Sequence, residues 1–142
     1  MALVVDGSNP PCLPKQSQNN HTQMTIAVDF DGTVVEHEYP RIGPDIGAQD
    51  VLLKLVHNGH KLILNTMRSG KTLQDAVDWF KKNNIPLYGV NENPLQHSWT
   101  SSPKVHASLY IDDHALGCPL TPQGYVDWNV IERYFLQTGI IG

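Results

Sequence analysis

Thr25-Ile26-Ala27-Val28-Asp29-Phe30-Asp31-Gly32-Thr33 is the stretch that decides how the rest of the chain is read. A short β-branched and apolar run ends abruptly in two carboxylates spaced i, i+2 and a Gly-Thr turn. Such a run, bounded by a glycine, suits a strand at the buried centre of a parallel sheet. Downstream, residues 33–42 are short, alternating and proline-containing, which predicts a small hairpin or flap. Pro44 then stands where the N1 position of a helix would be, with Asp45 in its first turn. Ala48, Val51, Leu52, Leu55 and Val56 recur at helical spacing, and Asn58-Gly59 ends the helix with a residue that tolerates left-handed geometry.

Residues 60–66 read as a second buried strand. Ser69 can cap a following helix whose apolar face is Leu73, Ala76, Val77 and Phe80; Trp79, beside that stripe, reads as packing. Residues 83–86 break the helix, residues 87–90 form a third strand, residues 91–103 a polar loop and residues 105–111 a fourth strand. A last helix over about 128–136 offers Val130, Ile131, Tyr134 and Phe135 to the core. There is no internal repeat. The order β-α-β-α-β-loop-β-α predicts an α/β fold, a three-layer sandwich with a parallel sheet and helices on both faces.

The chain has 142 residues, the length of one domain. Residues 1–23, rich in Asn, Gln, Pro and Ser, read as a flexible leader, and residues 24–142 as the folded domain. Lys plus Arg number 10 against 14 Asp plus Glu, a net charge of −4. No basic stripe supports nucleic-acid binding through phosphate neutralisation. Cys12 and Cys118 can form neither a disulfide framework nor a zinc pattern. No apolar window is long enough for a membrane helix, and nothing resembles a secretory signal. The sequence therefore reads as cytoplasmic.

In parallel sheets ligands bind at the carboxyl ends of strands. Asp29 and Asp31 end the first strand, and Asp112 and Asp113 the fourth. Several converging acids repel one another unless a cation sits among them, and all-oxygen ligation suits Mg²⁺. Thr66, Arg68 and Lys104 are the donors that a phosphate would want.

These residues resemble the motifs of the haloacid dehalogenase (HAD) superfamily phosphatases. Asp29-Phe30-Asp31-Gly32-Thr33 after an apolar strand is similar to the first motif, residues 62–66 to the second, Lys104 to the third-motif lysine and Ile111-Asp112-Asp113 to the fourth. They come in the family order and cover residues 24–137. At average residue usage an Asp-x-Asp-Gly-Thr run arises by chance in roughly one in 10³ chains of this length, so the match is specific. The resemblance is closest to small HAD hydrolases of bacteria and phages without a cap domain.

The resemblance implies a Rossmannoid sheet and a Mg²⁺-dependent phosphomonoester hydrolase working through an aspartyl-phosphate. Asp29 would be the nucleophile and Asp31 the general acid and base; Thr66 and Lys104 would hold the phosphoryl group. Gly32, Thr33 and Arg68 would contact substrate. Asp29, Asp31 (through its carbonyl), Asp112 and Asp113 would surround the metal. Near the second motif the chain departs from related sequences: Asn65 precedes Thr66, and Ser69 follows Arg68.

The flap and the 91–103 loop are too short for a cap, so the site should be open. An open site favours a large substrate, a terminal phosphate on a macromolecule such as a polynucleotide end, or a loop donated by a second copy in a homo-oligomer; the partner expected from the resemblance is a phosphorylated small molecule or nucleotide. The alternative function is a catalytically weak phosphate- or nucleotide-binding module on the same fold. A P-loop at residues 68–72 is excluded because Asn65 stands where its first glycine is needed. Of seven scattered histidines only His114 is placed for a site contact, and Trp99 is placed to line a substrate site.

Overall fold

The structure, a computed structural model, describes residues 22–142. Four strands, β1 (Thr25–Val28), β2 (Lys61–Leu64), β3 (Gly89–Val90) and β4 (Leu109–Ile111), form one sheet of order β3-β2-β1-β4. Every pairing is parallel, with Val28 opposite Leu64 and Ile111, and Leu64 opposite Val90. Among the described residues the sheet is joined by three α-helices: α1 (Ala48–His57), α2 (Gly70–Lys82) and α3 (Trp128–Gln137). The predicted α/β parallel sheet is present, and no cap domain lies among the described residues. Most of the expected leader, residues 1–21 with Cys12 and His21, lies outside the described residues. Gln23 at its end donates from Nε2 to Gly59 O at 2.8 Å.

Strand pleating sorts the side chains. Ile26, Val28, Leu62, Leu64 and Ile111 share one buried cluster with Val51, Leu52 and Leu55 of α1, Ala76 and Phe80 of α2, and Ile131 and Phe135 of α3. Phe30, Phe80 and Phe135 are fully buried there, each contributing about 1.5–3 kcal/mol over its exposed state. Trp79 packs edge-on to Phe30 and Phe80, as expected. The opposite pleat, Ala27 and Ile63, packs instead with Ala107, Tyr88 and Val105. The covering layer on that face is therefore not the second helical layer expected, but the chain between β3 and β4, whose one helical turn is a 3-10 turn at Gln96–Ser98.

Hydrogen bonding to the backbone explains why β4 is shorter than its apolar run. Buried Gln96 donates to Ser102 O and Lys104 O and accepts from His106 N. The Tyr110 hydroxyl donates to Val105 O. These bonds draw residues 104–106 off the ladder, which resumes at Ser108 N to Thr25 O. After β3 the chain turns so tightly that a side chain at Gly89 would collide with Glu92 O.

Helix starts also differ from expectation. Pro44 is not N1 of α1, which begins four residues later behind Gly47 at φ 103°. Asp45 caps it from outside, accepting from Gly47 N, Ala48 N and Gln49 N. Ser69 is the N-cap of α2 without a side-chain cap bond. Asp127 caps α3 through Asn129 N and Val130 N. Tyr134, expected in the core, is half exposed; Trp128 takes the buried position instead. After α3, Ile140 and Ile141 return to the core. Buried His60 accepts Met24 N at Nδ1, and its Nε2 lies 2.7 Å from Ile140 O, to which it donates.

Candidate active site

β1 is the point where the chain's direction across the sheet reverses, since it is flanked by β2 and by the returning β4. Crevices at the carboxyl end of such a switch point are where open α/β sheets bind ligands. A cleft of ≈ 340 Å³ lies there, lined by Asp29, Asp31, Thr66, Arg68, Asp112, Asp113 and His114, and walled by His37, Tyr39 and Met67. Five of the expected site residues at the strand ends are thus brought together with Arg68. Lys104 is not. It lines a separate depression with Trp99, Thr100 and His106, its Nζ 5.7 Å from the centre of the Tyr110 ring. The Gln96 bonds that hold residues 102–106 place it there, and Trp99 goes with it.

Gly32 and Thr33 do not line the cleft either. Thr33 is fully buried. Its hydroxyl accepts from Asp113 N and lies 2.9 Å from Asp29 Oδ2 and 3.2 Å from Asp113 Oδ1, so its single proton links the two acids. Its carbonyl accepts from buried Trp128 Nε1. Gly32 sits at φ 80°, its amide donating to Val35 O at 2.7 Å. A Cβ there would lie 2.5 Å from Asp113 Oδ2. The Gly-Thr pair is the joint that lets β1 and β4 present their acids side by side.

Arg68 is buried, with its guanidinium forked on Asp31: Nε to Oδ2 and Nη2 to Oδ1, both at 2.8 Å. It therefore meets the acid rather than a substrate phosphate. Thr66 lines the cleft as expected. Its amide is held by Asn91 Oδ1, and its hydroxyl accepts from Arg68 N, which leaves the hydroxyl proton available to donate. Lys71, inside the stretch 68–72 rejected as a P-loop, pairs with Asp75 on the surface of α2.

The acids carry the electrostatics. Burial pushes the Asp29 carboxyl up to about 7; hydrogen bonds from Phe30 and Thr33 oppose this, and the nearby Asp112 and Asp113 add to it. Asp112, Asp113 and His114 bring oxygen and nitrogen atoms within 4.8 Å of one another. Carboxylates crowded this way fit a hard divalent cation, which would relieve the cost of ionising Asp29.

A stability signature follows. The folded Asp29 carboxyl keeps its proton to a higher pH than the unfolded one, so stability falls as pH rises from about 4 through about 7. Urea midpoints without added metal should be higher at pH 5 than at pH 8, and Mg²⁺ should raise the pH 8 value more than the pH 5 value. A metal effect that is equal at both pH values would separate cation binding from Asp29.

The cleft residues that sequence reasoning missed are His37, Tyr39 and Met67. The alternating flap pattern was their one signal; Met67 had none. Pairing of Glu36 N with Pro44 O and of Ile46 N with Val34 O makes the base of that flap. Among the described residues no helix is long and apolar enough to cross a membrane.

No family model matches the sequence, and no curated protein does. A solved structure of a conserved protein from Bacteroides thetaiotaomicron is 38% identical, with a TM-score of 0.71, and the match covers 82% of this chain and 93% of that one. At that identity and coverage, the chain belongs to the same family as this Bacteroides protein.

Proposed function

We propose that the protein is a phosphomonoester hydrolase of the HAD superfamily, working with Mg²⁺ through an aspartyl-phosphate on Asp29. The observation that carries this reading is the meeting of Asp29, Asp31, Asp112 and Asp113 in one cleft at the switch point of a parallel sheet. Asp29, Asp112, Asp113 and the Asp31 carbonyl are the groups that would hold the cation. When bound, it would supply the positive charge that a phosphoryl group meets at the strand ends.

An ionised Asp29 oxygen attacks phosphorus, and the bond from phosphorus to the ester oxygen breaks. Thr66 donates its hydroxyl proton to a phosphoryl oxygen. Asp31 protonates the leaving alkoxide and then takes a proton from the water that hydrolyses the aspartyl-phosphate. The Arg68 fork holds the Asp31 carboxyl at the cleft wall, where it can serve both steps. For the first step one Asp31 oxygen turns from Arg68 to the cleft. The substrate proposed is a phosphorylated small molecule or nucleotide, and the open mouth also admits a terminal phosphate on a larger molecule. The free Cys118 thiol fits the reducing cytoplasm as the compartment.

A second reading, a phosphate-binding module without turnover, draws on the position of Lys104 outside the cleft. A panel of alkyl, aryl and nucleotide phosphates assayed with Mg²⁺ separates the two. The expected result is Mg²⁺-dependent release of phosphate that excess EDTA abolishes and Asp112→Ala lowers by about 10²-fold or more. Binding of phosphate with no turnover on any ester would favour the module, and full activity in EDTA would remove the metal.

A further inference from the structure

The Arg68 guanidinium has five N–H donors and makes five hydrogen bonds. Two go to the Asp31 carboxylate. Nη1 reaches Pro40 O at 3.2 Å and Thr72 O at 3.1 Å, and Nη2 reaches Arg41 O at 2.7 Å. The side chain is 1% exposed. Its charged carbon lies 5.2 Å from the Phe30 ring centre on the core side and 5.1 Å from the Tyr39 ring centre. No donor remains for a ligand, yet the group stands in the wall of the cleft.

The bonds to Pro40 and Arg41 join the tip of the flap to the body of the domain, and the bond to Thr72 fixes the group to the first turn of α2. The flap in turn carries His37 and Tyr39 into the cleft wall beside Asp31. We infer that Arg68 is a positioning residue that couples the flap to Asp31, so that the wall facing an ester's leaving group and the carboxylate that serves this group are set by one guanidinium. This rests on the hydrolase reading for its catalytic half, while the clamp itself does not. A planar fork with five directed donors is what the arrangement needs; a lysine's ammonium, with three donors at one point, cannot reproduce it.

The test is Arg68→Lys in the full chain, read in two ways. Amide hydrogen exchange without metal should speed up about tenfold or more in residues 36–46, while β1 and β2 keep wild-type rates. With Mg²⁺, kcat should fall about 10²-fold for an alkyl phosphate and only a few-fold for an activated aryl phosphate, with KM little changed, because only the poor leaving group depends on a well-placed Asp31. Unchanged flap exchange overturns the clamp. Equal kcat losses on both esters overturn the coupling and leave a structural arginine. Wild-type protein inactive on both esters overturns the hydrolase reading and the coupling with it, and flap exchange still decides the clamp. If Arg68→Lys does not fold, Tyr39→Ala removes one face of the stack but keeps all five bonds, and the same two readings are expected at smaller amplitude.

Discussion

Asp29→Asn should lower turnover by more than about 10³-fold, the scale on which loss of a nucleophile acts, and should leave the melting temperature at pH 8 equal to or above that of the wild type. The two halves have one cause. The Asp29 carboxyl is half-buried next to Asp112 and Asp113 and ionises only near about 7. At pH 8 without metal the wild-type fold bears the cost of that charge, and a neutral amide of the same shape does not. The variant should also lose the fall in stability between about pH 4 and pH 7. Circular dichroism melts at pH 5 and pH 8 beside phosphate release give the answer. Turnover above about one per cent of wild type would take the nucleophile's role from Asp29. A melting temperature that drops together with activity would make Asp29 a structural acid.

Gly32→Ala should damage the fold and the acid cluster together, through a single methyl group. The residue sits at φ 80°, where an L side chain costs about 1–2 kcal/mol. The new Cβ would stand 2.5 Å from Asp113 Oδ2, and overpacking of that kind adds about 1–3 kcal/mol. A total of about 2–5 kcal/mol should lower the melting temperature by roughly 10 °C or more for a domain of this size. Relief of the clash would push Asp113 away from Thr33, so Mg²⁺ should raise the variant's melting temperature less than the wild type's. Wild-type stability together with a full response to Mg²⁺ would show that the joint between β1 and β4 can give.

The parallel sheet and its three helices were legible because each strand is a compact apolar run and each helix keeps its stripe. The acids were legible because residues that follow directly on a strand must lie at its carboxyl end. What spacing does not carry is which way a long side chain turns. Arg68 and Lys104 both read as phosphate donors, since a cation near such a motif looks the same from sequence whether it faces a ligand, a carboxylate or a tyrosine ring. Thr33 read as a substrate contact for a similar reason: a hydroxyl beside two acids serves a ligand if exposed and the acids if buried, and it is buried. The face made of residues 91–107 escaped notice because its organiser is one buried glutamine in an aperiodic polar stretch.

His60 has a consequence for how this domain could be rebuilt. A single imidazole ring bonds the backbone just before the first strand and the backbone just after the last helix, Met24 on one nitrogen and Ile140 on the other. The entrance and exit of residues 24–140 therefore lie a ring's width apart, on the side of the sheet away from the acids. Chains closed in this way tolerate circular permutation. A few glycines and serines could join residue 142 to residue 24, and new ends could open in the exposed stretch near residues 122–124, leaving the cleft where it is.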